Sequence, residues 1–221
     1  MSTIPVLGAM GAVLFPGMRC GILLASGPAM AAVRAVLEGP PKGGIAVFAT
    51  RAANPRGRED LYSVGTIAQI VGLTKRRCCG RWVVNLRGAG RARALEYVRW
   101  EPFREADVEP LVESAEEPLI VDALASAVRR AVTQLHDRKP RCLHAMRAHE
   151  AVLASSRASD LAGAVSDLLV HLPLQENQRL LEAEPLTAQL GEVLAHVRAL
   201  LAPLEGTPQQ TEGRARDLGW S

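Results

Sequence analysis

In the first half of the chain, apolar residues come in short runs. Val6-Leu7, Val13-Leu14-Phe15, Ile22-Leu23-Leu24, Ile45 to Phe48, Ile67 to Val71 and Trp82 to Leu86 are separated by glycine and proline. Brief apolar or alternating runs between such breakers predict five or more short strands. One helix interrupts them. Pro28 suits a first helical turn, Met30, Val33 and Leu37 recur at helical spacing, and Gly39-Pro40-Pro41 ends the pattern. Successive strand residues point to opposite faces, so Trp82, Val84 and Leu86 share one face, and burial of Trp82 in the core is the expectation. Its partner strand is expected at Ile67 to Leu73, across a turn at Thr74 to Arg81.

The second half changes period. Ser114 and Glu117 form the S-x-x-E of a capping box, with Pro118 in the first turn. Ile120, Leu124, Val128, Val132 and Leu135 then make an apolar stripe, predicting a helix to about Arg138 that Pro140 stops. Further helices are expected at about 142–155, 159–171, 174–183 and 186–201, with breakers at Ser155-Ser156, Pro173, Pro185 and Pro203. Five helices on short connections are what a helical bundle needs. From Glu205 to Ser221 apolar periodicity is missing, which predicts a loose tail.

Composition marks the same division. Seven aromatic residues, from Phe15 to Phe103, precede residue 113 and only Trp220 follows, while 14 of 19 glycines also lie before it. The fold class expected is α+β: a strand module with one helix at 1–113, a helical bundle at 114–204 and a flexible tail at 205–221. At 221 residues and 48% hydrophobic, the chain can bury a core but cannot hold an ATPase together with a second catalytic domain. Met1-Ser2-Thr3 lacks a basic leader, and the apolar stretch Gly21 to Val33, 13 residues broken by Gly27 and Pro28, is too short to span a bilayer. Cys20, Cys78, Cys79 and Cys142 show no CxxC spacing, and neighbours such as Cys78-Cys79 bridge only under strain. A reduced, cytoplasmic protein without a membrane partner is the reading these features support.

The order of local motifs carries a resemblance. Ile4 to Leu7, then Phe15-Pro16-Gly17-Met18, then Leu61-Tyr62-Ser63-Val64-Gly65-Thr66-Ile67-Ala68-Gln69-Ile70, then Arg87-Gly88 to Arg91 resembles the amino-terminal, substrate-binding domain of the Lon protease family. The segment from Ser159 through Leu172-Pro173 to Gln178-Arg179-Leu180-Leu181 is similar to the helical region that follows it there, so the likeness spans roughly residues 4–202. It implies a β pseudobarrel related to RNA-binding PUA domains, followed by a helical bundle. It also implies recognition of unfolded or partner protein segments, with a protease or chaperone as a further partner. The sequence departs from the family at Gly8 to Gly11 and at Cys20-Gly21-Ile22, so polar contacts made there are not carried over. No G-x-x-x-x-G-K-[ST] phosphate loop and no match to the Ser-Lys peptidase dyad occur, and the three lysines, Lys42, Lys75 and Lys139, fall in expected loops or turns. A non-catalytic, free-standing Lon-type domain is therefore expected. The alternatives are the substrate-recruiting end of an ATP-dependent Lon protease, and an RNA-binding PUA-like protein.

Candidate chemistry is sparse. His149-Glu150 lacks the second histidine of HExxH, since position 153 is Leu153. Cys142 and His144 diverge on a helix, leaving Cys142 and His149 on one face, and ordinary helix-surface roles are expected for all three. Gly88 and Gly90 begin a G-x-G-x-x-G that Arg93 breaks. No catalytic residue, cofactor, metal or small-molecule substrate is expected. The net charge of +3 conceals eight basic residues in 75–99, against Glu96 alone, and eight acids in 101–122, against Arg104 alone. Arg76, Arg77, Arg81, Arg87 and Arg91 form the candidate basic patch, read first as a solvated strand face and second as an RNA contact. For protein segments the apolar candidates are Met18, Leu73, Trp82 and Trp100.

Overall fold

A computed structural model describes residues 2–24, 27–39, 44–52, 55, 57–111 and 117–205, and these described residues form six strands and six α-helices. The strands are β1 (Ser2–Met10), β2 (Arg19–Leu24), β3 (Ile45–Thr50), β4 (Val64–Lys75), β5 (Trp82–Arg99) and β6 (Glu105–Pro110). They pair in the order β2-β5-β4-β3-β1-β6, and β6 also pairs with β5, so five strands form a closed circuit with β2 appended at one edge. Parallel pairing of β1 with β3 requires a crossover, which β2 and α1 (Gly27–Glu38) supply. β5 can serve β2, β4 and β6 because it is 18 residues long and its pairings shift register at four places, each bending the ladder. The expected β4–β5 hairpin forms, whereas β6 was not evident in the sequence pattern.

Alternation along the strands feeds separate apolar clusters. Val6, Ala46, Phe48, Ala92, Ala106 and Val108 join Leu61 in a cluster to which four strands of the circuit contribute buried residues and β4 contributes the half-buried Ile67. Leu7, Ile45, Val47, Ala68, Val84 and Leu86 form a second cluster, covered by Ala32 and Val33 of α1. The run Val13-Leu14-Phe15 corrects the strand expected there. It is buried but irregular, with Leu14 in the α1-covered cluster and Val13 and Phe15 among the helices. The alternation is real; it sends neighbouring side chains into different cores. No ladder binds this backbone. Instead the Thr66 hydroxyl donates to the Leu14 carbonyl, and Gly88 ties down the turn that follows, accepting from Gly17 N–H at 3.0 Å and donating to Met18 O at 2.9 Å.

The helices are α2 (Pro118–Arg138), α3 (Leu143–Ala154), α4 (Leu161–Ala164), α5 (Leu174–Glu182) and α6 (Leu186–Glu205). α2 packs on α3 and α6, burying Val128, Val132 and Leu135 of the expected stripe. Ser114 and the boundary at residue 113 lie outside the described residues, as do Pro40-Pro41, Lys42 and the tail from 206. The capping box is corrected: Glu117 is itself the residue before the helix, with Pro118 opening it, and the Glu117 side chain makes no capping hydrogen bond. The helix expected at 159–171 is instead α4 between two 3-10 turns, Ala158–Asp160 and Ser166–Leu168. The cause is close packing. A Cβ at Gly163 would stand 2.1 Å from the Pro16 carbonyl oxygen, so this segment is shaped to the Phe15–Met18 turn. Pro203 does not end α6, which continues to Glu205; in the last turn its missing N–H removes a single helical hydrogen bond.

Candidate functional site

The candidate residues come to three places on the fold. At the end of the β4–β5 hairpin, Leu73 lies opposite Val84 and Lys75 opposite Trp82. The turn between them is held by Arg76 N–H to Arg81 O and Gly80 N–H to Arg76 O, both 2.8 Å, with Gly80 at φ +65°, where a side chain would be strained. The burial expected for Trp82 is corrected here. Val84 and Leu86 are fully buried, but Trp82, last on their face, extends past the α1-covered cluster and is 38% exposed. The Lys75 ammonium stands 5.8 Å from the centre of its indole. Leu73 is half-buried against the same cluster, so the hairpin end presents an apolar floor and a partly open indole. Arg76, Arg77 and Arg81 ring it, all exposed, together with exposed Cys78 and Cys79.

A second place lies where the sheet meets the helices. A cleft of about 510 Å³ is lined by Met18, Arg19, Arg87, Arg147, Asp160 and Asp167, among others. Met18 is half-buried between the helical and α1-covered clusters. Arg19 sits directly opposite Arg87 in the β2–β5 pair, an arrangement of like charges that costs energy in a sheet, and both residues are exposed. Arg147, Asp160 and Asp167 were missed from sequence. Nothing in the sequence signals them, because the turn they face is more than a hundred residues away; a Cβ on Gly17 would fall 2.8 Å from the Asp160 side chain.

Trp100 belongs to a third place. It is half-buried, stacked on Tyr97 with ring centres 5.0 Å apart and overlaid by the Arg104 guanidinium at 5.2 Å. Burial pushes the Tyr97 hydroxyl up to about 12, outweighing the opposing pull of Arg104 and Arg58, and burial also lowers the Arg104 guanidinium from its ordinary value. The four apolar candidates are thus spread over three regions. Arg91 also leaves its group: it is 6% exposed and its Nη1 donates to the carbonyls of Leu181 at 3.2 Å and Ala183 at 2.7 Å. Gly88, Gly90 and Arg93 all lie within β5. His149 stacks on His136 at 4.5 Å, while Cys142 and His144 line a separate cavity. Among the described residues no three potential metal ligands converge, and no helix is long and apolar enough to cross a membrane.

This architecture is that of solved Lon amino-terminal domains. The N-terminal domain of the Mycobacterium avium complex Lon protease superposes with a TM-score of 0.67 at 21% identity, covering 89% of this chain and 98% of that one. The Lon N-terminal domain protein from Xanthomonas campestris does so at 0.53 and 18%, covering 88% and 98%. Residues 3–199 match the family described as the ATP-dependent protease La (LON) substrate-binding domain, and the chain belongs to that family. It is 29% identical over 185 residues to the Lon protease of Desulfovibrio desulfuricans, covering 82% of this chain and 20% of that protein. It is 26% identical over 194 residues to the Lon protease of Anaeromyxobacter dehalogenans, covering 87% and 22%. The chain thus spans about a fifth of the length of these curated relatives. The matched portion is the substrate-binding domain, not the ATPase or peptidase domains.

Proposed function

We propose that this chain is a non-catalytic recognition module that holds unfolded or partner protein segments, through apolar contacts and without ATP. Its β circuit acts as a PUA-like pseudobarrel that presents the hairpin end, and the helices after residue 114 act as a bundle supporting it. The observation that carries the reading is Trp82: an indole 38% exposed on a strand face whose next two members are fully buried. A large aromatic surface left open beside a half-buried leucine matches what an extended apolar segment needs, and the cleft at Met18 offers a second contact on the same chain. Family membership supports protein segments over other ligands.

The test is Trp82→Ala. The variant is expected to lose roughly 1–2 kcal/mol of affinity for a fluorescently labelled unfolded polypeptide. Its melting temperature should fall by only a few degrees, since the indole leaves the fully buried core untouched. Unchanged capture rejects the hairpin as a contact, and a large loss of stability assigns Trp82 to the core.

A second reading rests on the relatives being Lon proteases. In a longer protein the same surface would deliver substrate to an ATP-driven peptidase. The full open reading frame around the gene separates the two. The RNA-binding alternative keeps Arg76, Arg77, Arg81 and Arg87 but not Arg91, whose guanidinium is engaged with carbonyls of the helical part.

A further inference from the structure

Two adjacent thiols lie in the exposed turn of the β4–β5 hairpin. Cys78 and Cys79 are both exposed, whereas Cys20 and Cys142 are half-buried. The turn holds the backbones of Arg76 and Arg81 together, at 2.8 Å, so both arginines flank the thiols in the chain and their charges act on Cys79, with Arg77 next in sequence. We propose that Cys79 is a thiol-modification site that exchanges with anionic low-molecular-weight disulfides, the arginines of the turn drawing the anion in.

The chemistry is thiol–disulfide exchange. The Cys79 thiolate attacks one sulfur of the small disulfide, a protein–small-thiol S–S bond forms, the original S–S bond breaks, and the second half leaves as a thiolate that takes up a proton. No net oxidation beyond that carried by the small disulfide is required. The site favours the attacking form. The hydrogen bond from the Arg81 backbone is the largest effect and, with lesser help from the Cys78 side chain and the charges of Arg81 and Arg76, it holds the Cys79 thiol below its ordinary value against the opposing effect of desolvation. Cys20 is the opposite case, since burial pushes its thiol up. Cys78 does not resolve the product easily. Adjacent residues have Cα atoms about 3.8 Å apart, shorter than the separation disulfides prefer, so the mixed disulfide persists. It would add carboxylates to a tip bearing Arg76, Arg77 and Arg81 next to Trp82. The exchange itself does not depend on what the hairpin binds.

The experiment treats the full chain with glutathione disulfide, and in parallel with uncharged 2-hydroxyethyl disulfide, following intact mass and mapping the modified residue by tandem mass spectrometry. One glutathionyl group is expected on Cys79. Cys79→Ser should slow its appearance about tenfold or more, while Cys78→Ser should retain most of it. In the double variant Arg76→Gln/Arg81→Gln, the rate with glutathione disulfide divided by that with the uncharged disulfide should fall about fivefold. These exposed turn residues leave the fold intact, which circular dichroism verifies. First modification at Cys20 or Cys142, an unchanged rate ratio, or a product with Cys78 and Cys79 bridged would each overturn the proposal.

Discussion

Arg91 and Trp82 each reversed the role their strand position predicted. Arg91 is one of eight basic residues in a run, yet its guanidinium is buried and donates twice into the end of α5. Nothing local distinguishes it from Arg87, because the carbonyls it meets are 90 and 92 residues away. Arg91→Ala should cost about 2–3 kcal/mol, since a buried and a part-buried carbonyl lose a charged donor. Chemical denaturation reads that loss directly; a variant that weakened RNA retention with unchanged stability would return Arg91 to the basic patch. Trp82 is the converse. Its face was legible, but where the core stops along that face depends on how far α1 reaches.

At the scale of elements, the motifs that carried the resemblance have packing reasons. In the Leu-Tyr-x-Val-Gly-Thr string, a Cβ on Gly65 would lie 2.3 Å from the Val47 carbonyl oxygen, and Thr66 donates its hydroxyl to Leu14. Gly88 of the Arg-Gly pair in β5 allows the same approach, with the Phe15 carbonyl oxygen 2.2 Å from its virtual Cβ. Gly163, on the helical side, completes the arrangement against Pro16. Gly163→Ala should therefore destabilise the protein by about 1–3 kcal/mol, although alanine is the better helix former. A gain in melting temperature would show that the contact relaxes freely. Strand and helix positions were readable where apolar periodicity was strong, as in α2 and the β4–β5 hairpin. They failed at 13–15 and 159–171, where one segment serves two cores or bends around a turn.

Across the whole molecule, the division into a strand part and a helical part meets a shared core. Val13, Phe15, Ala49 and Val64 pack with Leu161, Val165, Leu180 and Leu190 in one cluster. The Gln178 side chain, 1% exposed, donates from α5 to the Val64 carbonyl at 2.9 Å. Because Phe15 is only 2% exposed within that cluster, Phe15→Ala should cost about 3–5 kcal/mol. It should lower the loss of helical circular dichroism and the change in Trp82 and Trp100 fluorescence together, as one transition. Two separated transitions would mean that the parts fold independently.

By itself, the sequence determined the α+β class, the hairpin, most of the helices and the family likeness. These depend on local periodicity, on breakers and on glycines whose spacing is preserved in the chain. Tertiary structure alone decided which polar and apolar side chains remain open. It withdrew Arg91, left Trp82 at the edge of a core, and joined Met18 and Arg87 to a cleft with Arg147, Asp160 and Asp167. Exposure is set by what arrives from distant parts of the chain, and one strand's pattern carries no record of its neighbours.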